Sequence, residues 1–431
     1  MNIRIIALIT LFCSTVIGNA NAALANISTP TTGGKSIKLI GHKDRIQCMS
    51  LSCDEFFIAT GAADNTVKLW DRITGNLYKS FDFDSEIEAV AFNPNSNKAE
   101  IFATATANGI VGLWDSRSFK NICYVDVQPQ RQQSFNSSTQ PLKIDDLLSD
   151  LTINSSDEET LLPISHLIWG PLGESLAVEL GQWNTSHHKI LLFKFQNNAL
   201  KTEAALNHSK SSSTFSCDET YFAAAHCDGI NNGRAKIHHM IHTGNDADFI
   251  IYERGTVEHV IFNPINHRLA VSSLGDGLRI YNLAQKNCRS FLNLDCGRVG
   301  FLATRPAWSP NGKLIAAPSS ADADTHTEDI SVWNLCGDCM ACFRGESKHI
   351  YGLQWSPDGR YIASTSSGDE SDKYVVSIWD FETQKLVTKL DGAFLAWGRD
   401  SKTITIALSN ENNLDEHSYS LTLQTFSISD K

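Results

Sequence analysis

Residues 41–71 read GHKDRIQCMSLSCDEFFIATGAADNTVKLWD, opening on Gly41-His42 and closing on Trp70-Asp71. Three short apolar runs lie between these ends, at 46–51, 56–60 and 67–70. Each has strand length and β-branched or aromatic content, and the polar turns Cys53-Asp54-Glu55 and Asp64-Asn65 separate them. The pattern predicts consecutive antiparallel strands joined by tight turns.

Position, spacing and chemistry over this whole stretch resemble a repeat of the WD-repeat β-propeller family, whose blades carry Gly-His near the start and Trp-Asp at the end of the third strand. The resemblance implies that His42, Thr60, Asp64 and Trp70 share buried hydrogen bonds across one blade. Such a quartet persists only when every member is satisfied, so its expected role is to fix strand register, not to bind a ligand.

The aromatic near the end of each third strand marks a series along the chain. Trp70 and Trp114 come first, then Phe193 in ILLFK. The fourth repeat is degenerate, with His239 of AKIHHM read at the aromatic position. Tyr281, Trp333, Trp379 and Phe426 follow. The expected fold is all-β, a single closed WD-repeat-type β-propeller of eight blades, or seven if the fourth repeat is a decorated loop. With only one full quartet, the other blades are expected to hold register by packing. Blades six and seven carry WSPNGKLIAA and WSPDGRYIAS, in which Asn311-Gly312 and Asp358-Gly359 are hairpin turn signals. This form also resembles the repeats of TolB-type periplasmic propellers. An amino-terminal strand at 36–40 should complete the last blade, since closure removes exposed sheet edges.

A chain of 431 residues usually suggests two or three domains. Stacked blades relax that prior, because they do not enlarge one core. Residues 1–22 read as a secretory signal peptide: Arg4 is the basic start, 5–17 the apolar run and Ala20-Asn21-Ala22 the cleavage site. A linker at 23–35 precedes the propeller at 36–431, and the expected location is periplasmic or secreted. The apolar run is too short for an ordinary membrane span. A net charge of −12 argues against a surface built to bind nucleic acid. The segment 126–163 breaks the blade rhythm and reads as a surface insertion, with Leu147, Leu148 and Leu151 at helical spacing.

Chemistry-bearing motifs are few. Cys336, Cys339 and Cys342 form CxxCxxC, but a structural zinc site needs four ligands and no second CxxC follows. They read as inert thiols or a local disulfide. His238, His239 and His242, like His187-His188, sit where strand neighbours point to opposite faces, which disfavours metal binding. No metal, cofactor or catalytic residue is expected.

The strongest functional signal is an asymmetry in the loops joining second and third strands, which the family resemblance places on the Gly-His face. In the last three blades these loops are long and acidic, at 319–329, 366–374 and 409–417. They hold Asp322, Asp324, Glu328, Asp329, Asp369, Glu370, Asp372, Glu411, Asp415 and Glu416 against Lys373 alone. A one-signed cluster steers a cationic partner. The expected function is therefore a monomeric, non-catalytic protein-interaction propeller that binds a basic protein through this face. The alternatives are an exported hydrolase-like enzyme using the axial channel, or a bacterial effector acting on host proteins.

Overall fold

The computed structural model describes residues 35–98, 100–127, 142–143, 162–181, 188–208, 212–227, 232–240, 249–273, 277–283, 290–294, 305–320, 328–344, 350–367, 374–408 and 419–428. Among them the structure is all β apart from one 3-10 turn, Ser96–Lys98. No helix of the described residues is long and apolar enough to cross a membrane.

The strands form eight four-stranded blades of a β-propeller, one carrying a fifth strand. Seven blades are antiparallel meanders built from consecutive strands. The eighth (Ala393–Trp397, Thr403–Leu408, Tyr419–Ser427) takes Lys35–His42 as its fourth strand, as the alternating residues 36–40 predict. Two compact units divide the chain: blades 1–3 lie within Leu39–Ser211, and blades 4–7 with most of blade 8 lie in the unit that includes Ser212–Asn412 and Leu421–Lys431.

Blades 1–3 show why these sequences make blades. Blade 1 comprises Ile46–Leu51, Phe57–Ala62, Thr66–Asp71 and Leu77–Asp82. Its second and third strands are buried almost throughout, and its fourth is exposed except near Phe81. Blade 2 (Ile87–Phe92, Ile101–Thr106, Ile110–Asp115, Asn121–Asp126) packs on blade 1 through Phe81, Phe92, Phe102 and Trp114. Blade 3 (Ile164–Trp169, Ser175–Leu180, His188–Gln196, Ala199–His208) packs on blade 2 in the same way. In blades 1, 2 and 3 the pairing of third and fourth strands shifts register at Trp70, Trp114 and Phe193, so a bulge accommodates each large ring.

The insertion after blade 2 adds a fifth strand, with Leu142–Lys143 pairing in parallel with Val125 and Asp126. The helical spacing of Leu147, Leu148 and Leu151 falls outside the described residues.

Blades 4–8 repeat the plan. Blade 4, the degenerate repeat, is complete: Ser213–Phe215, Tyr221–Cys227, Asn232–His239 and Phe249–Arg254. Its ring position is one residue earlier than the sequence pattern predicts. Trp70 pairs with Ile58, and the aligned position opposite Phe222 is filled by His238, not His239. His238 is accordingly the buried one, while His239 turns its ring edge to Tyr221 at 4.9 Å. A one-residue slip exchanges the faces of a strand, so the error moved the wrong histidine into the core. Blade 5 (Val257–Phe262, Arg268–Ser273, Gly277–Asn282, Ser290–Leu294) brings Arg279 and Tyr281 against Glu253 of blade 4. Arg279 donates to Glu253 at 2.8 Å and the Tyr281 hydroxyl donates to its other oxygen.

Register is not held by packing alone. Trp114 Nε1 donates to Thr104 Oγ1 at 2.9 Å and Trp379 Nε1 to Ser364 Oγ at 3.1 Å, partial versions of the blade-1 network. A second device joins neighbouring blades. The tryptophan ending a first strand donates to a carbonyl of the preceding blade's first strand: Trp169 to Ala91 (3.1 Å), Trp308 to Ile261 (3.2 Å), Trp355 to Ala307 (3.1 Å). Amide side chains add a third, with Asn93 donating to Gly173 O at 3.0 Å and Asn263 to Gly312 O at 2.8 Å.

Candidate functional site

The four polar residues of blade 1 meet. Trp70 Nε1 donates to Thr60 Oγ1 at 2.8 Å, and that oxygen lies 2.7 Å from His42 Nε2. His42 Nδ1 lies 3.0 Å from Asp64 Oδ2. Asp64 also accepts from the Lys43 amide (2.7 Å) and the Thr66 hydroxyl (2.6 Å). One proton assignment satisfies the chain: indole N–H to Thr60, Thr60 O–H to Nε2, Nδ1–H to Asp64. A neutral imidazole does this, and burial indeed pushes the His42 pKa below its ordinary value against the pull of Asp64. Burial raises Asp64, but the hydrogen bonds from Thr66, Lys43 and His42 together outweigh it and hold the carboxyl below the usual range. These groups satisfy one another, and His42, Thr60 and Trp70 are buried.

The acidic loops are only partly in view. Asp322, Asp324, Asp369, Glu370, Asp372, Glu411, Asp415 and Glu416 lie outside the described residues. Glu328 and Asp329 are not loop residues; they begin the third strand of blade 6, Glu328–Asn334. Glu328 is half-buried and accepts from the Ile350 amide at 2.7 Å, which ties blade 6 to the start of blade 7. Asp329 is buried, with the Cys342 thiol 3.8 Å from its oxygen.

Cys336, Cys339 and Cys342 are free thiols. Burial raises the Cys342 pKa, so it is no activated nucleophile. His187 and His242 lie outside the described residues; His188 is buried at the start of a blade-3 strand.

A different constellation is assembled between blades 4 and 5, at the opposite end of the strands from the second-to-third-strand loops. A cleft of about 520 Å³ is lined by Cys217, Asp218, Ile265, His267 and their neighbours. Cys217 and Asp218 belong to the turn between the first two strands of blade 4. There Ser216 Oγ donates to Asp218 Oδ1 at 2.8 Å, Thr220 Oγ1 donates to Oδ2 at 2.6 Å, and Ser216 Oγ accepts the Tyr221 amide at 2.9 Å. His267 arrives from the matching turn of blade 5, with Nε2 at 2.8 Å from Asp218 Oδ2 and its ring edge-on to Tyr221. Burial raises the carboxyl, yet the Thr220, Ser216 and His267 bonds drive it well below the ordinary range. Cys217 is raised by burial and by Asp218, so the thiol is protonated and unsuited to nucleophilic attack at neutral pH. Residues 217 and 267 are fifty positions apart in a chain whose turns repeat, and no spacing signal pairs them. The available hint is the recurrence of Ser-Cys-Asp-Glu at 52–55 and 216–219.

Fold and buried network together define the class, an eight-bladed β-propeller among the described residues. Residues 34–71 and 337–380 match the family described as WD domain, G-beta repeat. The chain is 41% identical over 58 residues to eukaryotic translation initiation factor 3 subunit I of Aspergillus fumigatus, covering 14% of this chain and 17% of that protein. It is 33% identical over 66 residues to the ribosome biogenesis protein BOP1 homolog of Dictyostelium discoideum, covering 15% and 8%. The similarity thus spans less than a fifth of the length of these relatives. Among solved structures, Saccharomyces cerevisiae Sqt1 superposes with a TM-score of 0.60 at 11% identity, over 93% of this chain and 100% of that one. The designed Ika8 protein gives 0.58 at 14% identity, over 92% and 100%. At such identity these likenesses speak for the fold alone.

Proposed function

We propose that the chain is a non-catalytic protein-interaction propeller, a frame whose loops dock a protein partner. One observation carries this reading: the polar groups of blade 1 are satisfied within the blade, so the repeat's chemistry goes into rigidity and recognition is left to the loops. The short resemblance to a protein named as a subunit of a translation initiation factor agrees with a role in an assembly.

The docking face is the acidic loop set of blades 6–8, with Asp322, Asp324, Asp369, Glu370, Asp372, Glu411, Asp415 and Glu416 as its charges. A basic protein is the partner, bound by a single copy of this chain. The amino-terminal pattern at 1–22 makes it an exported protein, and sequencing of the native mature protein should begin at Ala23.

Affinity capture on the immobilised chain, at low and high salt, tests the reading. Changing Asp322, Asp324, Asp369, Glu370, Asp415 and Glu416 to Asn or Gln should weaken capture of basic partners and leave the melting temperature nearly unchanged. Association should slow as salt rises, because the Debye length falls from about 10 Å at 0.1 M to about 3 Å at 1 M. A partner indifferent to both salt and the six substitutions would overturn the acidic-face reading.

A further inference from the structure

We propose that Cys217, Asp218 and His267 form a three-ligand site for a divalent transition metal of the zinc type, with its fourth position open to the cleft between blades 4 and 5.

One ligand atom from each of the three lies within 4.8 Å of the others, and they are the one such group among the described residues. In a tetrahedral zinc site with bonds of about 2.0–2.3 Å, neighbouring ligand atoms stand roughly 3.3–3.8 Å apart. His267 Nε2 and Asp218 Oδ2, 2.8 Å apart as a hydrogen-bonded pair, would separate by about half an ångström to reach that spacing on a metal. The set suits zinc or cobalt and not magnesium or calcium, which take oxygen ligands. Three protein ligands leave one position for water or for a donor atom from outside, and the 520 Å³ cleft gives access to it. Thr220, bonded to the Asp218 carboxylate, is the kind of outer hydrogen bond that orients a metal-bound carboxylate.

Turn chemistry accounts for part of this arrangement but not all of it. Blade 1 has the same turn, with Ser52 Oγ donating to Asp54 Oδ1 at 2.6 Å and Cys53 beside it. There the nearby cation is Arg117, 4.0 Å from Asp54, and a guanidinium offers no lone pair to a metal. Asp218 as a turn cap is therefore a repeat feature. What blade 4 adds is an imidazole, delivered by the first-to-second-strand turn of blade 5. The CxxCxxC thiols form no comparable group among the described residues.

The test is metal titration of the full chain after chelator treatment, followed by calorimetry with zinc and by absorption spectroscopy with cobalt. The expected result is one ion per chain, with a thiolate-to-cobalt charge-transfer band. Cys217→Ser should abolish that band, and Cys217→Ser, Asp218→Asn and His267→Gln should each weaken zinc binding by at least about ten-fold. Asp218→Asn keeps a turn cap, as Asn311 does in blade 6, so circular dichroism should confirm an intact fold. A variant with Cys336, Cys339 and Cys342 changed to Ser should bind as the parent does. The proposal is overturned if affinity is unchanged in folded Cys217→Ser and His267→Gln chains. It is equally overturned if binding disappears with the triple CxxCxxC substitution.

Discussion

Trp355 donates its indole hydrogen to the carbonyl of Ala307 at 3.1 Å, from the first strand of blade 7 to the first strand of blade 6. The bond repeats between other neighbours, so the tryptophan of the WSPDG stretch joins one blade to the next. Trp355→Phe keeps most of the apolar volume but removes this interblade bond, at a cost of about 0.5–1.5 kcal/mol. The urea midpoint should fall accordingly, with no change in slope.

Blade 1 should be acid-sensitive through His42. Its folded pKa lies below the unfolded value of about 6.5, so between the two the unfolded chain binds more protons. Stability is then full above about pH 6.5 and declines as pH falls toward the folded pKa. Asp64 acts in the same direction at lower pH, its contribution being lost as pH falls through its depressed folded pKa. His42→Ala should lower the melting temperature, leaving the buried Thr60 hydroxyl hydrogen without its acceptor at about 1–3 kcal/mol. It should also flatten the stability profile between pH 7.5 and 5.5, measured by urea denaturation.

Two hairpin glycines separate backbone cost from steric cost. Gly312 and Gly359 have φ of +64° and +74°, so alanine at either costs about 1–2 kcal/mol. At Gly312 a Cβ would also stand 2.4 Å from Asn263 Oδ1, whereas at Gly359 the nearest atom is Pro310 Cδ at 3.7 Å. Gly312→Ala should therefore be clearly the more destabilising of the two. Adding Asn263→Ala should show positive coupling with Gly312→Ala in a double-mutant cycle.

The Glu253 carboxylate is buried, with Arg279 and Tyr281 donating to it from the next blade. Arg279→Met removes one donor cation from that buried charge and should destabilise, by at most about 3–5 kcal/mol. Glu253→Gln in the same chain should recover part of the loss, because no buried anion then remains. Thermal melts of the two single variants and the double variant read this directly.

Much of the fold was legible because each blade must bury a large ring at one place on its third strand. Trp70, Trp114 and Trp379 announce themselves, and Phe193, Tyr281 and Phe426 do so through their β-branched neighbours. Blade 4 misled by one residue because its longer route between the second and third strands removes any fixed count from Ser216 to the ring position. Only paired backbones reveal that His238 faces Phe222. The bonds from Trp169, Trp308 and Trp355 were invisible because their acceptors are carbonyls, which carry no residue identity. His267 beside Cys217 was hidden for a related reason: adjacency between blades follows from stacking, not from spacing along the chain.

The fifth strand of blade 2 bears on solubility. An outermost strand is a template onto which another chain can grow, and proteins often blunt it with lysine. Blade 7 does so, with Lys385 and Lys389 along its exposed last strand. Asn121–Asp126, NICYVD, carries no lysine, and Leu142–Lys143 covers the edge of its last two residues, Val125 and Asp126, instead. A chain that lost this two-residue cover would leave the backbone of Val125 and Asp126 open to pairing with a copy of itself, on a strand that no lysine guards.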